Sequence, residues 1–248
     1  MSKTNRYKIL NDPIYGFVTL RHSFTIDILD HPYVQRLRRI SQLGLSPLVD
    51  PGAVHNRFQH AVGSMFLMQE VVDVLRTKGV EITREEDEAV CFAILLHDIG
   101  HGPFSHALEH SIVKSVHHED ISTMIMDRLN IDFDGKLTLA IKIFKNEYSK
   151  KFLHQLVSSQ LDMDRLDYLA RDSFYSGVTE GKGGSERIIK MLSVSKDQLV
   201  VDEKGIYSVE KFIVARRLMY WQVYLHRTVI CAEHMLTLVL RRANQLAQ

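Results

Sequence analysis

Apolar residues along this chain recur mostly at helical spacing and alternate only in short stretches. Residues 7–10 and 16–20 read as two short strands around an Asn11-Asp12-Pro13 turn. A helix carrying Val34, Leu37, Arg38 and Leu43 is expected after His31-Pro32, stopped by Gly44. Val62, Met65, Phe66, Gln69, Val72 and Leu75 predict a helix over 57–77, ended by Lys78-Gly79. Thr83-x-x-Glu86 resembles a capping box, opening a helix that runs through Val90, Ile94 and Leu95 into His97-Asp98. Gly100-His101-Gly102-Pro103 breaks it. Further helices are expected over 104–110, 118–130 and 138–144, and a long helical stretch over 152–175. Ser176-Gly177 and residues 181–184 read as a mobile loop. Residues 198–201 and 206–209 suggest a β-hairpin around Glu203-Lys204-Gly205. Residues 209–246 read as one or two amphipathic helices. No repeat, low-complexity run or linker divides the chain. The expectation over 1–248 is a single, mostly α unit with small β-hairpin embellishments. Its last residues keep a helical pattern without a cap, so a truncated form of a longer protein is expected.

Composition narrows the class. The chain has 248 residues, 45% hydrophobic and 25% charged, which excludes disordered, collagen-like and disulfide-scaffold chains. A net charge of +1 gives no global pull toward nucleic acid or anionic membrane. Arg36, Arg38 and Arg39 form a basic face without an aromatic-lined groove, so nucleic acid is not an expected partner. Cys91 and Cys231 sit in apolar runs and form no framework, which suits a reducing, cytoplasmic setting. No signal peptide is visible, and no uncharged run reaches the roughly 18–20 residues of a membrane span.

Histidine changes the picture. Of 13 in the chain, His97, His101, His106, His110, His117 and His118 fall in one short stretch. Ala93-Ile94-Leu95-Leu96 leads His97-Asp98 out of an apolar helix, where an unpartnered carboxylate is costly and a cation removes the cost. Arg57 and His60 are three apart and share a face of an earlier helix. Asp164 and Tyr168, four apart, can face one site together, and the carboxylates at 164, 167 and 172 cannot all face water if Leu161, Leu166 and Leu169 are core.

Four segments in order carry a resemblance: 55–60 (HNRFQH), 97–106 (HDIGHGPFSH), 117–119 (HHE) and 162–172 (DMDRLDYLARD). They resemble the HD-domain phosphohydrolases, and within them the deoxynucleoside triphosphate triphosphohydrolases related to the SAM-and-HD-domain enzyme. The likeness runs over nearly the whole chain and implies an HD-domain helical bundle. It implies a metal set of His60, His97, Asp98 and Asp164 on one divalent cation, with Fe, Mn, Zn, Ni and Mg all open. It implies hydrolysis of a dNTP to deoxynucleoside and tripolyphosphate, water attacking the α-phosphorus. His106 falls on an acid–base position. His118 and Glu119 line or support the site, and His101 takes a phosphate-side position. Glu109 replaces an orienting Asp and is one methylene longer. Arg57, Arg165 and Arg216 match phosphate-binding positions, with Arg165 standing where a lysine is common. Tyr168, Asp172 and Tyr224 match residues that meet sugar or base, and Gln42 and Leu43 a site-lining pair. A tyrosine under the sugar would exclude a 2′-hydroxyl. Leu225 stands where a relative carries a polar residue.

The resemblance also implies regulation. Lys8, Ile9, Asn11, Asp30, Gln35 and Arg38 resemble a pocket for a GTP or dGTP activator, and a homo-oligomer, dimer or tetramer, is implied. Relatives complete that pocket with a C-terminal region this sequence lacks. Two alternatives stay open: an HD-type phosphomonoesterase or cyclic-nucleotide phosphodiesterase, and a non-catalytic nucleotide-sensing module.

Overall fold

A computed structural model describes residues 8–104, 117–181 and 184–247. The chain opens with an antiparallel hairpin, β1 (Ile9–Asp12) and β2 (Gly16–Thr19), registering Leu10 against Val18 and Asp12 against Gly16. Asn11 and Asp12 belong to the strand, and the turn falls one step later. Asp12 builds it by accepting from the backbone N–H of Ile14 (2.8 Å) and Tyr15 (3.1 Å).

Helices α1 (Phe24–Asp30) and α2 (Pro32–Gln35) follow. The single helix expected toward Leu43 does not form: α2 tightens into a 3-10 turn, Arg36–Arg39, and the chain then straightens. Backbone pairing explains this. Ile40 accepts from Arg57 N–H (3.0 Å), Gln42 donates to the His55 carbonyl (3.1 Å), and Ser41 bridges Asn56. An extended 40–42 segment cannot also be helical.

The core is built around α3 (Arg57–Thr77), which packs against α4 (Arg84–Leu96) and, on another side, against α8 (Met163–Ser176). Met68, Val71, Val72 and Leu75 of α3 meet Val90, Ile94 and Leu95 of α4, all fully buried. Both helices start on capping boxes. Asn56 and Gln59 exchange bonds at α3, and Thr83 and Glu86 do so at α4. Between α4 and α8 lie α5 (His118–Asp132), α6 (Thr138–Phe144) and α7 (Lys151–Val157). The helix expected over 104–110 lies outside the described residues apart from Phe104.

The long stretch expected over 152–175 is broken in two. Asp162 is the cause: its carboxylate accepts from Arg165 N–H (2.7 Å) and from Ser159 N–H (2.7 Å), ending one helix and capping the next. The break sets Asp164 in the first turn of α8. After Gly177, in a left-handed conformation at φ 76°, comes α9 (Ser185–Met191), a helix without a counterpart in the sequence reading. The second hairpin also differs from expectation. It pairs β3 (Leu192–Ser195) with β4 (Gln198–Val201) through Lys196 and Asp197, both at positive φ. Residues 206–209 instead begin α10 (Ile206–Met219), directly after Gly205, which packs where a Cβ would meet Val201 and Met191 below 3 Å. A π-helical turn, Tyr220–Tyr224, separates α10 from α11 (Arg227–Ala247). Among the described residues no helix is long and apolar enough to cross a membrane. Cys91 is buried and Cys231 exposed, both free.

The α4 capping box lies at the opposite end of that helix from His97 and Asp98, so it separates stability from chemistry. Thr83→Ala is expected to lower unfolding free energy by about 1 kcal/mol in urea titration, with bound-metal content unchanged.

Candidate metal centre and pocket

Three elements that are distant in sequence bring the histidine and aspartate side chains together. His60 sits one turn into α3, His97 and Asp98 follow the last residue of α4, and Asp164 lies in the first turn of α8. The ligand atoms of His60, His97 and Asp164 lie within 4.8 Å of one another. His60 Nε2 is 3.0 Å and His97 Nε2 3.4 Å from Asp164 Oδ1, and His97 Nε2 is also 3.4 Å from Asp98 Oδ1.

The tautomers are fixed from behind. His97 Nδ1 lies 2.6 Å from the Ile94 carbonyl, which only accepts, so Nδ1 carries the proton. His60 Nδ1 lies 2.7 Å from Asp167 Oδ2, with the same result. Both Nε2 atoms are therefore aimed into the cluster, buried and without a hydrogen-bond partner. Once His60 gives up its proton, two imidazole nitrogens facing two carboxylates fit a divalent cation of the mixed N/O class.

A buried chain of charges holds this arrangement. Arg171 grips Asp167 with Nε and Nη2, each at 3.0 Å, and reaches Asp12 Oδ2 at 2.8 Å through Nη1. Arg171 and Asp167 are fully buried. The pair lies flush on α3 only because residue 63 is glycine: a Cβ there would stand 2.1 Å from both Arg171 Nη2 and Asp167 Oδ1. Burial raises the Asp167 carboxyl, but Arg171 and His60 outweigh it and hold it below its usual range. Burial favours neutral His60, yet the carboxylates of Asp164 and Asp167 win and push it up to about 10.

Above the cluster opens a cavity of about 420 Å³. Arg57, Asp98, His101, His118 and Asp164 line it, as do Tyr168, Asp172, Tyr224, Gln42 and Leu43. Arg57 donates from Nη1 to Asp98 Oδ2 at 2.5 Å, while its Nε is buried without an acceptor. His101 Nε2 lies 3.3 Å from Asp98 Oδ1, and its ring stacks on His118 at 4.1 Å. Burial takes His101 down to about 4, against the pull of Asp98. Asp172 is held on both oxygens: His55 Nε2 at 2.7 Å and the Tyr224 hydroxyl, which donates at 2.7 Å. Tyr168 is pushed up to about 12 by burial and Asp164, with Arg216 and Arg165 opposing.

Other sequence candidates do not line the cavity themselves, although Arg165 and Arg216 act on Tyr168, which does. Arg165 donates from Nε to the Ser159 carbonyl (2.7 Å), Arg216 lies over the Tyr220 ring, and Glu119 is exposed at the start of α5. His106 and Glu109 lie outside the described residues. The activator candidates show two separate side-chain pairs, Lys8 with Asp30 (3.5 Å) and Arg38 with Gln35 (2.8 Å). Ile9 and Asn11 lie on β1. Sequence reasoning did not assign Asp167, Arg171, His55 or Gly63 to the site. The four-residue spacing of Asp167 and Arg171 is the signal that pointed to them.

The geometry sets two expectations. Asp167→Asn removes the carboxylate that fixes the His60 proton on Nδ1, so affinity for Mn²⁺ should fall about 10–100-fold in a competitive dye titration. His60 must also lose a proton to ligate, so acid opposes binding. Apparent Mn²⁺ affinity should weaken about tenfold per pH unit as pH is lowered from 8 to 6.

Comparison with known proteins agrees with this layout. An HD domain matches residues 57–172 and an HD associated region residues 184–247. A solved structure of a phosphohydrolase from Bacteroides thetaiotaomicron superposes with a TM-score of 0.95 at 60% identity, covering 98% of this chain and 60% of that one. An uncharacterised protein of Bacillus subtilis is 38% identical over 98% of this chain and 58% of its own. The deoxynucleoside triphosphate triphosphohydrolase SAMHD1 homolog of Dictyostelium discoideum is 31% identical over 96% of this chain and 50% of its own. The chain thus spans 50 to 60% of the length of these relatives. With an HD domain over residues 57–172 and that domain's companion region over 184–247, the chain belongs to the HD-domain family.

Proposed function

We propose that the chain is the hydrolytic unit of a metal-dependent deoxynucleoside triphosphate triphosphohydrolase. One observation carries the reading. Two imidazole nitrogens facing Asp98 and Asp164, and one arginine Nε without an acceptor, lie at the edge of the cavity that Arg57, Asp98 and Asp164 line. The first two suit a cation and the third a phosphate oxygen. His60, His97, Asp98 and Asp164 would hold the cation. When bound, it supplies Lewis acidity at a phosphoryl oxygen and acidifies water.

The remaining work falls to side chains. Arg57 neutralises phosphate charge, and Asp98 holds its guanidinium in place. Water adds to the α-phosphorus, the bond to the 5′ oxygen breaks, and tripolyphosphate leaves. The 5′ oxygen needs a proton, which the stacked imidazoles of His101 and His118 in the cavity lining can relay to it. Tyr168 lies beside the phosphate-side groups and supports a deoxyribose against its ring. Asp172, fixed by His55 and Tyr224, is an acceptor for a sugar hydroxyl. The name of the Dictyostelium relative supports the same substrate class.

Phosphorus NMR of the products from each dNTP, with Mn²⁺ and with GTP present or absent, tests this. Tripolyphosphate is expected. Orthophosphate or pyrophosphate instead would assign the site to a phosphomonoesterase or another phosphohydrolase. Asp98→Ala should lose both bound Mn²⁺ and tripolyphosphate release, since it removes a ligand and the partner of Arg57.

A further inference from the structure

The cavity has a wall that the hydrolytic reading does not use. The residues already assigned, Asp164, Tyr168 and Asp172, line the cavity from successive turns of α8, each step rising about 6 Å. The bond from Tyr224 to Asp172 ties the third turn to the segment that leads into α11. The lining also includes Gln42, Leu43 and Gly44, and Val229 and Glu233 from α11.

Glu233 is half-buried and has no hydrogen bond or ion pair among the described residues. Burial alone pushes its carboxyl up, with no contribution from any charged neighbour. Its Oε1 lies over Gly44, where a Cβ would stand 3.4 Å away. Gln42 supplies the second observation. Its backbone N–H is pinned to the His55 carbonyl (3.1 Å), and its side-chain oxygen is buried without a partner. Two unpaired acceptors share a wall with the apolar side chains of Leu43 and Val229. Leaving such acceptors dry is costly, so the wall calls for a ligand edge rich in N–H donors.

On the nucleotide reading proposed above, the phosphates occupy the cation end and the base is the part left for this wall. Bases differ in what they offer a carboxylate. Guanine presents N1–H and N2–H side by side, matching two carboxylate oxygens. Adenine and cytosine present one amino group. Thymine presents a single N–H flanked by two carbonyls that repel a carboxylate. We infer that Glu233, together with the side-chain oxygen of Gln42, is a specificity determinant that selects guanine first and thymine last. Sites built to hydrogen-bond a group discriminate strongly against ligands lacking it.

The test uses deoxyguanosine and thymidine, which carry no phosphate and so report on the base wall alone. Their dissociation constants for the Mn²⁺-loaded full chain are measured by ligand-observed NMR, with Glu233→Gln in parallel. Deoxyguanosine should bind at least about tenfold tighter than thymidine, and E233Q should shrink that ratio to within about threefold. Equal affinities in the unsubstituted protein, no binding of either, or a ratio unmoved by E233Q would each overturn the inference. The two proposals fail separately. Tripolyphosphate released equally well from all four dNTPs sinks base selection and leaves the hydrolase standing. A deoxyguanosine preference lost in E233Q, without tripolyphosphate from any dNTP, does the reverse.

Discussion

The grip of Arg171 on Asp167 is the interaction on which the metal centre depends. Asp167 sets the His60 proton on the far nitrogen, and Arg171 keeps Asp167 ionised in a dry interior. Asp12 completes the neutralisation from the N-terminal hairpin. Remove the arginine and two carboxylates are buried beside each other, a cost of about 3–5 kcal/mol. The carboxylate behind His60 is thus anchored by a strand-and-turn residue that never approaches the cavity. The same Asp12 shapes the turn of that hairpin. Local chain direction and distant electrostatics meet in one side chain.

A similar economy holds on the substrate side. His55 and Tyr224 take one oxygen each of Asp172, and the backbone of His55 receives Gln42. The extended segment at 40–42 therefore does two things. It ends the preceding 3-10 turn, and it sets a cavity-lining residue beside the start of α3. His55 stacks on Tyr175 at 4.5 Å, which further fixes its ring. Asp172 is positioned by neighbours from two separate stretches of chain.

Much of this was legible from residue order. The apolar period along 57–77 and the capping box at Thr83 gave two helices whose ends agree with the structure. His97 and Asp98 stood out at the end of an apolar run, and the resemblance to HD-domain phosphohydrolases added His60 and Asp164. What could not be read was the outcome of competition between local preferences. Residues 152–175 have helical character throughout, yet Asp162 caps a new helix and breaks the run. Residues 206–209 are rich in strand-forming side chains, yet they open a helix directly after Gly205. Asp167, Arg171 and Gly63 escaped notice in the site for a related reason. Their roles exist only after α3 and α8 dock, and a glycine inside a helix announces nothing about what will lie against it.

The distances along the chain have a consequence for how the molecule assembles. Asp167 meets His60 across 107 residues, and Arg171 meets Asp12 across 159. Closing loops of that length costs entropy before any contact returns it. Charges cannot enter a dry core one at a time, because each partner must arrive before water leaves. The apolar packing of α3 with α4, joined by a short connection, is available far sooner. Docking of α8 therefore belongs to the late part of folding, and it is then that the ligand cluster first exists. A cation that binds only the finished cluster acts as a latch on the completed chain, weighting the native state by mass action and leaving the early collapse untouched.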